Sequence, residues 1–235
     1  MELRTRVSGA EHWTRKDEVK LFLWQKSPPS GESPKGTLLF VHGSSMASQP
    51  TFDLQVPGRP DSSAMEWFAA RGYDTWCMDH EGYGRSDKSR PINCDIASGA
   101  DDLAAGTKYD RAFVRSIFTR DHPGTADDAT IEAFASAILE LDDSVPTGTY
   151  VDMCSKLPVN DPSKIPVPTI VMRGEFDGIA GFQDLVEFFT RLPNPDKQFT
   201  VMAGISHASF QQKNYLTAYH ILHSFLATPD PVYRA

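Results

Sequence analysis

Residues able to do acid–base chemistry stand directly after strand-like runs of the sequence. His207 follows the run 198–203, and a histidine on such a loop can act as a general base because imidazole titrates near neutral pH. The segment 175–177 (EFD) places two carboxylates directly after the run 169–174 (TIVMRG). A general base removes a proton from another group, so a second residue that supplies this proton is expected in the sequence.

Two further loops carry polar residues in the same setting. The loop 42–45 (HGSS) ends the apolar run 37–41 (TLLFV), and the segment 79–87 (DHEGYGRSD) ends the run 74–79. An unbroken apolar run such as TLLFV predicts a strand that is buried on both faces of a parallel sheet. Ligands bind beyond the carboxyl ends of such strands, which is where these loops lie.

Helical patterns alternate with the strand-like runs. Ser63 and Glu66 form a capping box at the start of one helix, and the segments 182–192 and about 212–226 carry apolar residues at helical spacing. This alternation predicts an α/β protein with a mostly parallel sheet and helices on both faces.

One block departs from the alternation. Residues 110–160 are too helical and too numerous for a plain crossover between strands. We therefore predict a core formed by residues 1–109 and 161–235, into which 110–160 is inserted as a small helical cap.

The composition excludes several classes of protein. The chain has 235 residues, 40% of them hydrophobic, and a net charge of -8. It can therefore bury a core, but it lacks the basic clusters that bind nucleic acid. No apolar run approaches the roughly 20 residues that span a bilayer, and the start MELRTRVSGAEHW has no signal-like segment. Three scattered cysteines fit a reducing compartment, so we expect a cytoplasmic protein without membrane or nucleic-acid partners.

Four segments in order resemble the α/β-hydrolase superfamily. LLFVHG resembles its third strand and oxyanion loop, and DHEGYGRSD resembles the loop after its fourth strand. VPTIVMRGEFD resembles the strand that delivers the triad acid, and FTVMAGISH resembles the strand before the triad histidine. The resemblance covers most of the chain and implies a shortened α/β-hydrolase-like fold.

The resemblance implies a role for each loop. Asp177 is the acid and His207 the base, and the Ser44 or Ser45 amide is one oxyanion donor in the loop that begins with His42 and Gly43. His42 itself is interpreted as structural. Intact relatives would hydrolyse carboxylic esters or similar acyl bonds through an acyl-enzyme, without a cofactor.

The family's nucleophile elbow, G-x-S-x-G, is absent from the sequence. It should stand on its own strand between DHEGYGRSD and the cap, but DDLAAGTKY (101–109) runs directly into DRAFVRSIF. Ser44 or Ser45 could replace it only from the oxyanion loop, Ser86 belongs to the fourth-strand loop, and Ser98 follows no strand. The gap corresponds to two strand-plus-helix units, or about 60 residues at about 30 per unit.

The deletion has a structural consequence and leaves the function open. The strands TLLFV and TIVMRG must pair directly in a six-stranded sheet, leave open edges, or find partner chains, which includes a homodimer. The chain could be a hydrolase without its nucleophile, a protein that keeps the pocket and binds a small molecule, or a damaged fragment.

Two further site predictions depend on residue type alone. Aromatic side chains could line an acyl pocket: Tyr83, Trp67, Phe113 and Phe118. The segment 79–81 (DHE), taken with His42 or His207, could suggest a metal site, but its spacing matches no strong ligand pattern, so no metal is predicted.

Overall fold

The computed structural model describes residues 7–29, 33–88, 107–108, 110–146 and 148–229. Its contacts divide the chain into two compact units, which are described separately. The first unit comprises Met1–Ile117 and Asp128–Asn160, and the second comprises Phe118–Asp127 and Asp161–Ala235. The boundaries of core and cap that the sequence suggested stay a prediction.

The first unit contains a mixed four-stranded sheet. Its strands are β1 (Ser8–Lys16), β2 (Val19–Ser27), β3 (Thr37–Val41) and β4 (Asp74–Met78), in the order β1-β2-β4-β3. β1 and β2 form an antiparallel hairpin whose tight turn contains Asp17 at a positive φ of 52°. β2 pairs with β4 antiparallel, and β3 pairs with β4 parallel.

The remaining elements of the first unit are short strands and helices. The helices are α1 (Ser48–Phe52), α2 (Ala64–Ala69), α3 (Arg111–Thr119), α4 (Asp128–Leu141) and α5 (Gly148–Ser155), and α3 runs across the division into the second unit. The strands β5 (Thr107–Lys108) and β6 (Ser144–Val145) pair antiparallel.

Helix α2 begins where the sequence predicted. The Ser63 hydroxyl accepts a hydrogen bond from the Glu66 N–H at 2.9 Å, which satisfies one free amide of the first turn. The second half of the predicted capping box is not formed, because the Glu66 carboxylate contacts Lys26 and Gln55 instead. The helix stops before Gly72, which has a φ of +95°.

The second unit is built on a parallel strand pair. β7 (Thr169–Gly174) and β8 (Lys197–Met202) pair in parallel, and helices α6 (Phe182–Arg191) and α7 (Tyr215–Leu226) follow them in turn. Single turns of 3-10 helix occur at Pro162–Lys164 and Ser209–Gln211. All four predicted elements after residue 168 are therefore present, with ends within a few residues of those expected.

Two details of the predicted sheet need correction. The four-stranded sheet of the first unit is mixed rather than mostly parallel, because a tight turn joins β1 to β2 and a hairpin is necessarily antiparallel. β3 is not buried on both faces: α1 and α2 cover Phe40, whereas Leu39 and Val41 are 59% and 58% exposed. β3 is the last strand in the order β1-β2-β4-β3, which corresponds to the open edge among the three alternatives that the sequence left.

None of the helices that the structure describes is long and apolar enough to cross a membrane.

Candidate functional site

The second unit brings His207 and Asp177 together. Nδ1 of His207 lies 3.1 Å from Oδ2 and 3.2 Å from Oδ1 of Asp177. The Asp177 side chain is 9% exposed and the His207 side chain is 43% exposed. Because a carboxylate only accepts hydrogen bonds, Nδ1 is the donor, which leaves Nε2 with the lone pair of the neutral ring. In the described part of the chain, Nε2 has no hydrogen-bond partner.

Backbone hydrogen bonds between the two loops hold this pair in place. The parallel pairing of β7 with β8 continues past the strand ends, where the N–H groups of Glu175 and Phe176 donate to Met202 and Ile205 at 2.9 Å each. The Glu175 carboxylate accepts from the N–H of Gly204 at 2.9 Å. The two side chains therefore lie together because consecutive parallel strands end at the same edge of the sheet.

Gly174 allows the two loops to approach closely. A Cβ built at this position would lie 2.4 Å from the carbonyl oxygen of Ile205 and 2.5 Å from that of Ser206. Both distances are far below a normal contact, and both involve backbone atoms that cannot rotate away. The last position of β7 therefore requires glycine.

The Asp177 carboxylate also caps its own turn. Its Oδ1 accepts hydrogen bonds from the N–H groups of Ile179 at 2.9 Å and Ala180 at 3.2 Å. Burial raises the pKa of Asp177, but the hydrogen bonds from His207, Ile179 and Ala180 outweigh it, and its pKa lies below the ordinary value. The carboxylate is therefore ionised at neutral pH.

Arg173, for which the sequence patterns predicted no role, contacts this turn from the strand side. Its guanidinium donates to the carbonyl oxygens of Gly174, Glu175, Asp177 and Ala180 at 2.7–3.2 Å. The signal in the sequence was a single cation inside the apolar run TIVMRG.

Residues 118–127, which lie within the segment predicted as a cap, belong to the second unit. The His122 ring stacks on Phe176, with centroids 3.8 Å apart. The Thr125 hydroxyl donates to the His122 carbonyl and lies 3.4 Å from the Ser206 hydroxyl. These contacts involve the loops that carry Asp177 and His207, and nothing in the spacing of the sequence indicated them.

In the first unit, hydrogen bonds at both ring nitrogens hold His42 in a neutral form. Nδ1 donates to the Gly43 carbonyl at 2.7 Å, and Nε2 accepts from the N–H of His80 at 3.0 Å. Burial and, to a smaller extent, the neighbouring His80 together lower the pKa of His42 to about 4. With both nitrogens engaged and the ring 4% exposed, His42 is arranged as a structural residue of the loop.

The rest of the predicted oxyanion loop lies between β3 and α1. Ser45 has a positive φ of 80°, which is rare for serine, and its hydroxyl contacts the Tyr150 hydroxyl on α5. Ser44 is half-buried and Gly43 exposed. The contact with Tyr150 was not foreseen, because residues 45 and 150 are distant in sequence.

The loop after β4 is fixed by Asp79 rather than arranged around an open metal site. Oδ1 of Asp79 accepts from the N–H and hydroxyl of Ser48 at 2.8 and 2.6 Å, and Oδ2 accepts from the Arg85 N–H at 2.9 Å. Within the described ranges, no three His, Cys, Asp or Glu side chains are grouped so as to hold a metal ion.

A cleft of about 640 Å³ opens between α1 and α4 in the first unit. Its lining includes Gln49, Pro50, Leu54, Arg85, Ala137 and Glu140. The aromatic residues predicted for an acyl pocket lie elsewhere: Tyr83 and Trp67 are each 2% exposed, Phe118 is 1% exposed and Phe113 is half-buried. Their role as pocket residues stays a prediction.

The region in which the nucleophile elbow was expected, between residues 87 and 110, lies largely outside the described residues. Segments 89–106 and residue 109 belong to that part, and so does Ser98. β5 ends at Lys108 and α3 begins at Arg111, so the chain between these two elements is too short for a further strand and helix. The printed sequence contains no G-x-S-x-G motif.

Comparison with known proteins gives structural relatives only. No family model and no curated protein matches the sequence. A soluble variant of monoglyceride lipase from Saccharomyces cerevisiae is 13% identical with a TM-score of 0.63, over 96% of this chain and 98% of that chain. A serine hydrolase involved in carbazole degradation is 14% identical with a TM-score of 0.63, over 94% and 99%.

An epoxide hydrolase from Vigna radiata is also similar, at 11% identity and a TM-score of 0.60, over 96% of this chain and 99% of that chain. Identities this low establish shape and connectivity, not activity. Many further hydrolases of the same architecture match over about 94% of the chain. The chain therefore has the α/β-hydrolase fold.

Proposed function

We propose that this chain is a hydrolase-type protein for carboxylic esters or related acyl bonds, in which Asp177 and His207 form the acid–base pair and the nucleophile elbow is missing. The observation that carries the proposal is the contact of 3.1 Å between Nδ1 of His207 and the Asp177 carboxylate. The pair stands at the carboxyl ends of consecutive parallel strands, where this fold places a base and its orienting acid.

The geometry suits the base role of His207. An ionised carboxylate on Nδ1 fixes the tautomer in which Nε2 can take a proton, and it stabilises the imidazolium that forms. His207 is exposed enough for a hydroxyl group to reach Nε2. In a complete triad that hydroxyl belongs to the serine of the elbow.

The proposal implies little catalysis by this chain. Without the nucleophile, only the oxyanion hole and substrate binding could act, which in an otherwise intact serine hydrolase are worth about 10³–10⁴ over the reaction in water. The loss of the elbow segment disturbs these as well, so the remaining acceleration should be far smaller. Ser44 and Ser45 are the alternative nucleophiles, and Ser45 is favoured by its unusual φ of 80°. A lipase and an epoxide hydrolase both share the fold, so the bond that intact relatives of this chain cleave is not fixed by the fold.

Turnover of short p-nitrophenyl esters by the purified chain tests the proposal. We expect a rate close to that of heat-denatured protein, unaffected by a serine-directed sulfonyl fluoride. A robust rate that the reagent abolishes would contradict the missing nucleophile. If Ser45→Ala removed that rate and Ser44→Ala did not, Ser45 would be the nucleophile.

A second candidate function is binding without chemistry, which the cleft between α1 and α4 favours. Its volume of about 640 Å³ falls in the usual range for small-molecule sites, about 300–1,000 Å³. In the same ester assay, this function is supported if the ester raises the melting temperature without being consumed. The partners under either proposal are small molecules, with a monomer or homodimer in the cytoplasm.

A further inference from the structure

We propose that Arg173 is a positioning residue, whose guanidinium fixes the turn from Asp177 to Ala180 so that the Asp177 carboxylate meets His207. The inference goes beyond the proposed acid–base pair but rests on it for its functional meaning. It concerns only the second unit, to which all of these residues belong.

The guanidinium binds the turn at both of its ends. Nη2 donates to the Asp177 carbonyl at 2.7 Å, and Nε donates to the Ala180 carbonyl at 3.2 Å. Nη1 donates to the carbonyls of Gly174 at 2.9 Å and Glu175 at 3.2 Å, where the chain leaves β7. The Arg173 side chain therefore binds the backbone where the loop leaves β7 and also binds both ends of the turn from Asp177 to Ala180.

The same turn supplies the backbone donors of the Asp177 carboxylate. The N–H groups of Ile179 and Ala180 both point at Oδ1. Ala180 is held on both sides, since its N–H binds the carboxylate and its carbonyl binds Arg173. If Arg173 released the carbonyls, the turn could open and its N–H groups would leave the carboxylate free to rotate away from His207.

The chemistry of arginine suits this task better than that of lysine. Four carbonyl oxygens converge on one region, and a planar guanidinium with five N–H groups can reach all of them at once. Lysine has three donors on a single atom and cannot span both ends of the turn. The guanidinium carbon of Arg173 also lies 5.8 Å from the ring centroid of Phe182.

Two variants and a matched control test the proposal in the full chain: Arg173→Lys, Arg173→Met and Arg191→Lys. Arg191 lies in the same unit, is exposed, and pairs with Asp161 at 3.1 Å, away from the turn. Circular dichroism establishes that each variant is folded. NMR then measures hydrogen exchange of the Ile179 and Ala180 amides and the downfield Nδ1–H proton of His207, which is assigned by its loss in Asp177→Asn.

We expect both Arg173 variants to speed exchange of the two amides by about tenfold or more, because a hydrogen bond to a charged group is worth at least that factor. The Nδ1–H resonance should broaden or vanish in the same variants. Arg191→Lys should leave both readouts unchanged.

The outcomes separate the two proposals. If Arg173→Lys and Arg173→Met lower only the melting temperature and leave both readouts intact, Arg173 is merely structural and the inference is overturned. If Arg173→Met does not fold, Arg173→Lys decides alone. If the wild type shows no Nδ1–H resonance that Asp177→Asn removes, the acid–base pair fails, while amide exchange still decides the role of Arg173.

Discussion

At the scale of single residues, two histidines on similar loops have opposite arrangements. His42 is buried, and hydrogen bonds engage both of its ring nitrogens. His207 is exposed, and its described hydrogen bonds engage only Nδ1. A general base needs a reachable lone pair, so hydrogen bonding and exposure distinguish the candidate base from a structural residue where residue type cannot.

Because His42 is buried in its neutral form, we predict that the free energy of unfolding depends on pH. Its pKa is about 4 in the folded protein and ordinarily about 6.5, so between these values the unfolded chain binds the proton and the folded chain does not. Stability should therefore be complete above about pH 6.5 and fall as the pH drops toward 4, by up to about 1.4 kcal/mol per pH unit for one proton. The groups around this ring, His80, Tyr83 and Asp79, lie in the same unit.

Tryptophan fluorescence tests this prediction for the first unit alone. All 4 tryptophans of the chain belong to the first unit, so urea titrations followed by fluorescence report on the unit that contains His42. His42→Gln should reduce the slope of the free energy of unfolding against pH between pH 6.5 and 4. Substitution of the exposed His220 by Gln should leave this slope unchanged. If His42→Gln kept the slope of the wild type, the pH dependence would not come from the failure of folded His42 to bind a proton.

At the scale of elements, the candidate site depends on how closely two strand ends approach. β7 and β8 continue to exchange backbone hydrogen bonds past their ends, and Gly174 leaves no side chain between the loops. The capping patterns in the sequence were less reliable. Ser63 does cap α2, whereas the Glu66 carboxylate contacts Lys26 and Gln55 and does not complete the predicted capping box.

Gly174→Ala should therefore destabilise the second unit. The new Cβ would stand 2.4 Å from the Ile205 carbonyl oxygen, and overpacking of this kind costs about 1–3 kcal/mol. The loop that carries His207 should shift outward. Hydrogen exchange measured by mass spectrometry should increase in peptides covering 169–178 and 197–210.

Gly36→Ala is the matched control for this substitution. A Cβ at Gly36 would meet no atom within 4 Å, and Gly36 has no positive φ. It should change stability by less than about 0.5 kcal/mol, as is usual for surface positions. Equal effects of the two substitutions would show that the close approach at Gly174 is not the cause.

At the scale of the whole molecule, the chain forms two compact units with separate sheets. The first sheet ends in β3, whose apolar residues Leu39 and Val41 are exposed. An apolar edge strand presents unpaired backbone groups to other chains, so this edge should promote association. This is the consequence that the sequence suggested for a chain without its central strands.

Leu39→Lys should raise the protein concentration at which association begins, measured by light scattering. A charged side chain on an edge strand hinders pairing with another strand. Leu216→Lys is the control, because Leu216 is also exposed but lies on helix α7. Each substitution makes the net charge of -8 less negative and so weakens the repulsion between protein molecules. A decrease in association therefore cannot result from stronger repulsion. If the two variants behave alike, the edge of β3 is not the site of association.

The sequence by itself determined the elements and the identity of the candidate pair. Apolar patterns specify β3, β4, β7, β8 and α6, and the cap residue Ser63 specifies the start of α2, because burial and hydrogen bonding of adjacent residues act over short distances. The resemblance of VPTIVMRGEFD and FTVMAGISH to two segments of the α/β-hydrolase superfamily was what paired Asp177 with His207. The antiparallel β1 was missed, because its residues are nearly all exposed and carry no apolar alternation.

Only the tertiary structure decided which groups surround these residues. The four carbonyls around Arg173, the stacking of His122 on Phe176 and the Ser45–Tyr150 contact depend on how loops fold back on strands. It also decided that β3 is an edge strand and that His42 is neutral. The physical reason is that partners, exposure and pKa values depend on distances through space, whereas residue type and spacing constrain only what lies nearby along the chain.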